Sequence, residues 1–249
     1  MAGGNGRAGS APAALAQIRG VFFDLGGTLI DDHDFLPWSE IARRFYLDFD
    51  ADDLAHAYEE VERETDTEPP VTRVEFWCRT LARASGRDVS ATTAEKFIAA
   101  VPPSSVPARV YSDVRRCLNE LQEDGKLLGV ISNASSEASA RSLLDRGGIL
   151  PYFSTVVSSG TEGVSKPSPD LFHRALERAR ISPSESFYVG NLAFTDAAAA
   201  RRAGMHSVWL HRGGVAFNWD PPEVTSLLEV PNWVRRLEGR PERYPRRRA

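Results

Sequence analysis

Residues 21–30 have the sequence Val-Phe-Phe-Asp-Leu-Gly-Gly-Thr-Leu-Ile, in which an apolar run ends at a single carboxylate, Asp24. Gly26, Gly27 and Thr28 follow directly behind it. This pattern predicts a buried strand that delivers Asp24 to a turn. Open α/β sheets place their chemistry at the carboxyl ends of parallel strands. We therefore expect Asp24 to belong to an active site.

The composition is ordinary for a globular protein. The chain has 249 residues, of which 42% are hydrophobic and 26% charged, and its net charge of -4 does not favour a nucleic-acid partner. No apolar run approaches the roughly 20 residues that a membrane span needs. Cys78 and Cys117 have apolar neighbours, which predicts reduced core residues of a cytoplasmic protein. The oligomeric state stays open.

Four further short apolar runs predict buried strands, and helical patterns alternate with them. The runs are Leu127–Ile131, Thr155–Val157, Phe187–Val189 and Ser207–Leu210. Alternating strands and helices imply a parallel sheet that is covered on both faces. The sequence therefore predicts an α/β fold with a Rossmann-like, doubly wound parallel sheet.

Residues 32–107 interrupt this alternation with helical patterns and no clear strand. We interpret this interval as a helical cap domain inserted into a core formed by residues 18–31 and 108–230. Residues 1–17, which are rich in Gly and Ala, are predicted to be a disordered leader, and residues 231–249 a C-terminal tail.

Four short motifs follow one another along the chain, each at or just beyond a predicted strand end. They are Asp24-Leu-Gly-Gly-Thr28, Ser132-Asn133, Lys166 within Ser-Lys-Pro-Ser-Pro, and Val189-Gly-Asn191 followed by Asp196. Together they span nearly all of residues 20–210. In this order they resemble the motifs of the haloacid dehalogenase (HAD) superfamily, and the chain resembles its capped phosphatase branch. The resemblance implies a hydrolase that acts on a small phosphorylated metabolite.

The resemblance also implies a role for each motif residue. Asp24 is the expected nucleophile, because a carboxylate can attack phosphorus and form an aspartyl-phosphate. Ser132 and Lys166 are the other expected catalytic residues, and Thr28, Ser132, Asn133 and Lys166 the expected substrate-binding residues. The phosphoryl oxygens need fixed donors and a positive charge, which a hydroxyl, nearby backbone N–H groups and an ammonium supply.

Magnesium is the cofactor that the resemblance implies, and hard oxygen ligands suit it. Its expected ligands are the side chains of Asp24, Asn191 and Asp196 and the backbone carbonyl of Gly26.

Two positions depart from the phosphatase pattern. Gly26 replaces the aspartate that protonates the leaving alcohol and later activates water, a contribution of typically about 10²–10⁴-fold. Asn191 replaces a metal-binding aspartate, so it keeps a carbonyl oxygen but loses one negative charge. His33 is the first candidate to replace the missing acid, with the neighbouring Asp31, Asp32 and Asp34 as alternatives.

The sequence is also compatible with two other functions. One is a binding or regulatory protein on a catalytically weakened HAD core. The other is a dehalogenase-type hydrolase, since haloacid dehalogenases also lack the second aspartate and carry asparagine in the fourth motif. However, their next aspartate follows more closely than Asp196 follows Asn191, so the spacing favours the phosphatase branch.

Overall fold

Eight short strands form the β-structure in the described residues of the computed structural model, which are 17–31, 40–66, 71–100, 108–212 and 222–243. The strands are β1 (Gly20–Phe23), β2 (Ile30–Asp31), β3 (Arg109–Val110), β4 (Leu127–Ser132), β5 (Thr155–Ser158), β6 (Ser186–Gly190), β7 (His206–Leu210) and β8 (Glu223–Val224). Six of them form one sheet in the order β5-β4-β1-β6-β7-β8, with every neighbouring pair parallel. The predicted fold class is thereby confirmed.

Helices separate the strands from β3 to β7, and three of the described helices lie between β2 and β3. The helices are α1 (Ala51–Thr65), α2 (Arg73–Ser85), α3 (Ala91–Ala100), α4 (Val114–Glu123), α5 (Glu137–Arg146), α6 (Ser159–Glu162), α7 (Pro169–Ala179), α8 (Ala199–Arg202) and α9 (Val230–Leu237), and a π-helix, Ala193–Ala198, leads into α8. All four strands predicted from apolar runs are present, as β4, β5, β6 and β7.

The sheet is covered on both faces. Because successive side chains of a strand point to opposite faces, neighbouring residues of β1 pack in different apolar clusters. Phe23 packs in one apolar cluster with the buried side of α4, α5 and α9, whereas Phe22 packs in another with α7 and α8. All four residues of β1 are buried. β1 pairs with β4 on one side and β6 on the other, where the strand order reverses and open α/β sheets leave a crevice.

The described part of the interval between β2 and β3 is helical and has an apolar cluster of its own. Its members include Leu54 of α1, Trp77 and Leu81 of α2 and Phe97 of α3, and the Trp77 and Phe97 ring centroids lie 5.6 Å apart. The antiparallel pair β2–β3 joins the points where the chain leaves and rejoins the core. That this segment acts as a cap with boundaries 32 and 107 stays a prediction.

The C-terminal segment differs from the predicted tail. Residues Val230–Leu237 form α9, which buries Val234 and Arg235. Arg235 also makes two short bonds to the Asp124 carboxylate, of 2.6 Å from Nε and 2.5 Å from Nη2. The core therefore extends through α9. Val230, Trp233, Val234 and Leu237, at helical spacing on the face that packs against the core, were the available sequence signal for this helix.

Among the described helices, none has the length and apolar character that crossing a membrane requires.

Candidate active site

Three buried charged side chains meet at the carboxyl edge of the sheet. The Lys166 Nζ donates to Asp24 Oδ1 at 2.6 Å and to Asp196 Oδ1 at 2.5 Å. Only 7% of Asp24, 4% of Lys166 and 1% of Asp196 is exposed. Because burying a charge costs free energy unless it is paired, such a cluster at a strand end is typical of a functional site.

Asp24 and Asp196 are placed by adjacent strands. Asp24 follows β1 directly and its N–H donates to the Val189 carbonyl of β6 at 2.9 Å, so the strand ladder continues into the site. Asp196 lies in the π-helix after β6, and its Oδ2 accepts the Leu192 N–H at 3.1 Å. A Cβ at Gly190 would lie 2.3 Å from Asp196 Cγ, so a larger residue at Gly190 would displace this carboxylate.

Asn133 holds the backbone of Lys166. The Lys166 N–H donates to Asn133 Oδ1 at 2.9 Å, and Asn133 Nδ2 donates to the Lys166 carbonyl at 3.0 Å. This reciprocal pair ties the loop after β4 to the loop that carries the lysine. The predicted substrate-binding residue Asn133 thus has a positioning contact in this structure.

Tyr188 is a site residue that sequence reasoning missed. Its hydroxyl accepts from Lys166 Nζ at 3.0 Å and lies 3.0 Å from Asp196 Oδ1 and 3.2 Å from the Ile131 carbonyl. The side chain is fully buried in the middle of β6. A tyrosine in an otherwise apolar strand was the available signal, because a buried phenol needs a polar partner.

The cluster is electrostatically unbalanced, with two carboxylates and one ammonium. Burial raises the pKa of Asp24 from its usual 3.8 to about 7; attraction to Lys166 opposes this rise, and repulsion from Asp196 adds to it. Burial alone lowers the pKa of Lys166, but attraction to Asp196 and Asp24 outweighs it and leaves that pKa raised. Lys166 therefore stays charged, and one negative charge remains without compensation when both carboxylates are ionised.

The turn after β1 packs against the residue that replaces the fourth-motif aspartate. Thr28 Oγ1 donates to Asn191 Oδ1 at 3.3 Å. Gly27 has a φ of +68°, and a Cβ there would lie 2.4 Å from Asn191 Nδ2. The Trp209 Nε1 donates to the Asn191 carbonyl at 2.8 Å. Asn191 is thus fixed next to the turn that contains Gly26.

Ser132, the remaining predicted site residue, is the last residue of β4 and is 6% exposed. Since β4 neighbours β1 in parallel register, with Phe23 opposite Val130, Ser132 and Asp24 leave the same edge of the sheet. His33, the first candidate for the missing acid, lies outside the described residues, as do Asp32 and Asp34; Asp31 ends β2.

The oxygen donors around Asp24 fit a hard cation. Within the described residues no group of three or more His, Cys, Asp or Glu side chains forms a metal cage. The surplus negative charge of the Asp24–Lys166–Asp196 cluster nevertheless favours a cation, and Asn191 and the Gly26 carbonyl supply neutral oxygens. Asp196 fits direct coordination less well, because its Oδ1 accepts from Lys166 and its Oδ2 from Leu192. This donor set has the hard-oxygen chemistry that magnesium prefers, and the magnesium site itself stays a prediction.

Comparisons with known proteins identify the family of this chain. A family model described as haloacid dehalogenase-like hydrolase matches residues 18–204, which include every residue of the cluster. The chain belongs to the haloacid dehalogenase-like hydrolases. Fold and motif order had implied this family, and the match confirms it.

Relatives of this HAD-like hydrolase include both phosphatases and dehalogenases. It is 27% identical over 230 residues to (S)-2-haloacid dehalogenase 2 of Pseudomonas sp. strain CBS-3, covering 88% of this chain and 96% of that one. It is 26% identical over 216 residues to glyceraldehyde 3-phosphate phosphatase of Pyrococcus furiosus, covering 81% of this chain and 84% of that one. The magnesium-bound HAD-hydrolase YfnB of Bacillus subtilis has the same fold, with a TM-score of 0.67 at 17% identity over 88% and 99% of the two chains.

Proposed function

We propose that this HAD-like hydrolase is a phosphatase that forms an aspartyl-phosphate on Asp24 and acts on a small phosphorylated metabolite. The observation that carries the proposal is the buried Asp24 carboxylate at the strand end, 2.6 Å from the Lys166 ammonium. A carboxylate held there in a fixed orientation is a suitable nucleophile for phosphorus. A purely binding protein has no need for two buried carboxylates around one lysine, an arrangement that opposes stability.

The other residues take supporting roles in this proposal. Lys166 holds Asp24 and supplies positive charge to the phosphoryl oxygens. Ser132 supplies a hydroxyl, and Asn133 fixes the lysine backbone. Thr28 steadies Asn191 next to the turn that follows the nucleophile.

We propose magnesium as the cofactor, with Asp24, Asn191 and the Gly26 carbonyl as its ligands and Asp196 contributing mainly through its charge. A bound magnesium ion would supply positive charge for the phosphoryl oxygens.

The Asn191→Asp variant is expected to bind magnesium about tenfold more tightly, because it adds one carboxylate to a donor set of low charge. Isothermal calorimetry of both proteins gives the two dissociation constants. Asn191→Ala, which removes the side-chain oxygen, is the control and should bind more weakly than wild type. If calorimetry detected magnesium binding to neither the wild type nor Asn191→Asp, the proposed metal site would be contradicted.

The absence of a side chain at Gly26 restricts the substrates in this proposal. An alcohol needs a proton when it leaves, and position 26 has no group to donate one. An acyl or aryl phosphate has a leaving group that departs as an anion. The aspartyl-phosphate is itself an acyl phosphate, so water can cleave it with the Asp24 carboxylate as the leaving group.

The Gly26→Asp variant is expected to raise the turnover of alkyl phosphates by up to about 10²-fold, because the new carboxyl group can protonate the leaving alcohol. Turnover of aryl phosphates should change little, since their leaving groups need no proton. Steady-state kinetics on one alkyl and one aryl phosphate measure this selectivity. Gly26→Asn has nearly the same shape without the acid and should not raise turnover. Equal rates on both substrates for the wild type would mean that another residue supplies the proton.

A screen for phosphate release over acyl, aryl and alkyl phosphates, with and without magnesium, tests the proposed function. Release that needs magnesium and disappears in Asp24→Asn supports it. No release from any substrate would favour the binding or regulatory alternative. Halide release from 2-haloacids without metal would support the dehalogenase alternative, which the spacing of Asn191 and Asp196 does not favour.

A further inference from the structure

The helix that carries Asp196 receives no capping bond from the side chain of its own N-cap residue. Leu192 occupies the N-cap position of the π-helix, and its apolar side chain makes no capping hydrogen bond. Instead, the Asp66 carboxylate accepts the N–H of Phe194 at Oδ2, at 3.0 Å, and the N–H of Thr195 at Oδ1, at 2.8 Å. Asp66 is 128 residues before Phe194, at the end of α1 in the helical segment. A residue of the inserted segment therefore caps a helix of the core.

The position of Asp66 is unfavourable for its own helix. It is the C-cap residue of α1, where the helix dipole places partial negative charge and disfavours a carboxylate. At the start of the π-helix the same carboxylate meets partial positive charge and free backbone N–H groups. The electrostatics of α1 thus do not explain an aspartate here, whereas those of the π-helix do.

Asp66 is connected to the nucleophile through the turn that it caps. The Leu192 N–H at the start of this turn donates to Asp196 Oδ2, and Asp196 Oδ1 accepts from Lys166, which in turn holds Asp24. We propose that Asp66 is a positioning residue: by capping the π-helix from the helical segment, it fixes Asp196 in the orientation that holds Lys166 against Asp24. The catalytic meaning of this contact rests on the proposed phosphatase function.

This contact also makes the site sensitive to the position of the helical segment. When the segment lies against the core as in this structure, both N–H groups are satisfied. A movement of α1 away from the π-helix breaks both bonds and leaves the Phe194 and Thr195 N–H groups without their side-chain acceptor. The segment therefore completes the catalytic cluster only in its docked position, as expected when closure of a lid assembles a site.

Amide hydrogen exchange tests the contact without any assay of activity. In Asp66→Ala, the Phe194 and Thr195 amides should exchange about tenfold faster than in wild type. Asp66→Asn, which keeps one acceptor oxygen, should show a smaller increase in exchange rate. It is the test variant if the alanine variant fails to fold. Asp52→Ala removes an exposed carboxylate from the first turn of the same helix and should leave both amides unchanged. Unchanged exchange of these amides in both Asp66 variants would overturn the proposal, whatever the enzyme's substrate.

Kinetics on an acyl or aryl phosphate test the positioning role. Asp66→Ala should lower kcat about tenfold with a smaller change in KM, because the variant disturbs the catalytic cluster. In the Asp196→Asn background the same change should have no further effect, since Asp66 acts through Asp196. If the loss of kcat in the double variant equalled the combined losses of the two single variants, the positioning role would be overturned. If the wild type releases no phosphate at all, the proposed function fails while the exchange experiment still decides the contact.

Discussion

Replacing Asp24 with asparagine is expected to reduce turnover by a factor on the order of 10⁶, the loss that follows removal of a covalent nucleophile. Asparagine has nearly the same shape but cannot attack phosphorus at neutral pH. The remaining groups, including Lys166 and Ser132, can still bind a phosphoryl group, so KM should change far less than kcat. Phosphate release from an acyl or aryl phosphate measures both constants.

The same variant should remain folded. Burial disfavours the ionised form of Asp24 and raises its pKa to about 7, so a neutral side chain removes a charge that the fold accommodates poorly. Its free energy of unfolding should equal or exceed that of the wild type in urea denaturation. Asp145→Asn, an exposed change in the last turn of α5, is the matched control and should keep full activity. Wild-type turnover in Asp24→Asn would exclude the covalent mechanism.

Replacing Lys166 with methionine is expected to have the second-largest effect. The change leaves the two carboxylates of Asp24 and Asp196 buried next to each other without their shared cation. Removing one partner of a buried ion pair typically costs about 3–5 kcal/mol of stability. Turnover should fall by about 10³-fold or more, because positive charge near the phosphoryl oxygens is lost. Urea denaturation and phosphate release measure the two effects.

Lys126 provides the control, because its side chain is largely covered and forms an ion pair away from the site. Its Nζ contacts Glu238 Oε1 at 2.5 Å and the Ile18 carbonyl at 2.7 Å, at the opposite edge of the sheet. Lys126→Met should therefore lose stability while keeping kcat near the wild-type value. If both lysine variants lost turnover in proportion to their loss of stability, Lys166 would have only a structural role.

Sequence patterns were sufficient to predict the α/β core and the position of Asp24 at a strand end. Short apolar runs such as Leu127–Ile131 and Phe187–Val189 predict buried strands because a strand covered on both faces needs continuous apolar side chains. Parallel strands end at one edge, so residues that follow such runs, including Asp24 and Ser132, were expected to meet there. The structure confirms the strands and brings these residues to the same edge.

The other groups around the Asp24–Lys166–Asp196 cluster come from distant elements, and sequence patterns did not predict their contacts. Tyr188 has the pattern of a core strand residue, and its contacts with Lys166 and Asp196 appear only after the strand crossovers bring β6 beside that lysine. Asp66 and Thr195 are 129 residues apart, and no local pattern marks an aspartate at the end of one helix as the cap of another. Local periodicity encodes which side chains are buried in each element, whereas contacts between distant elements depend on how the whole chain packs.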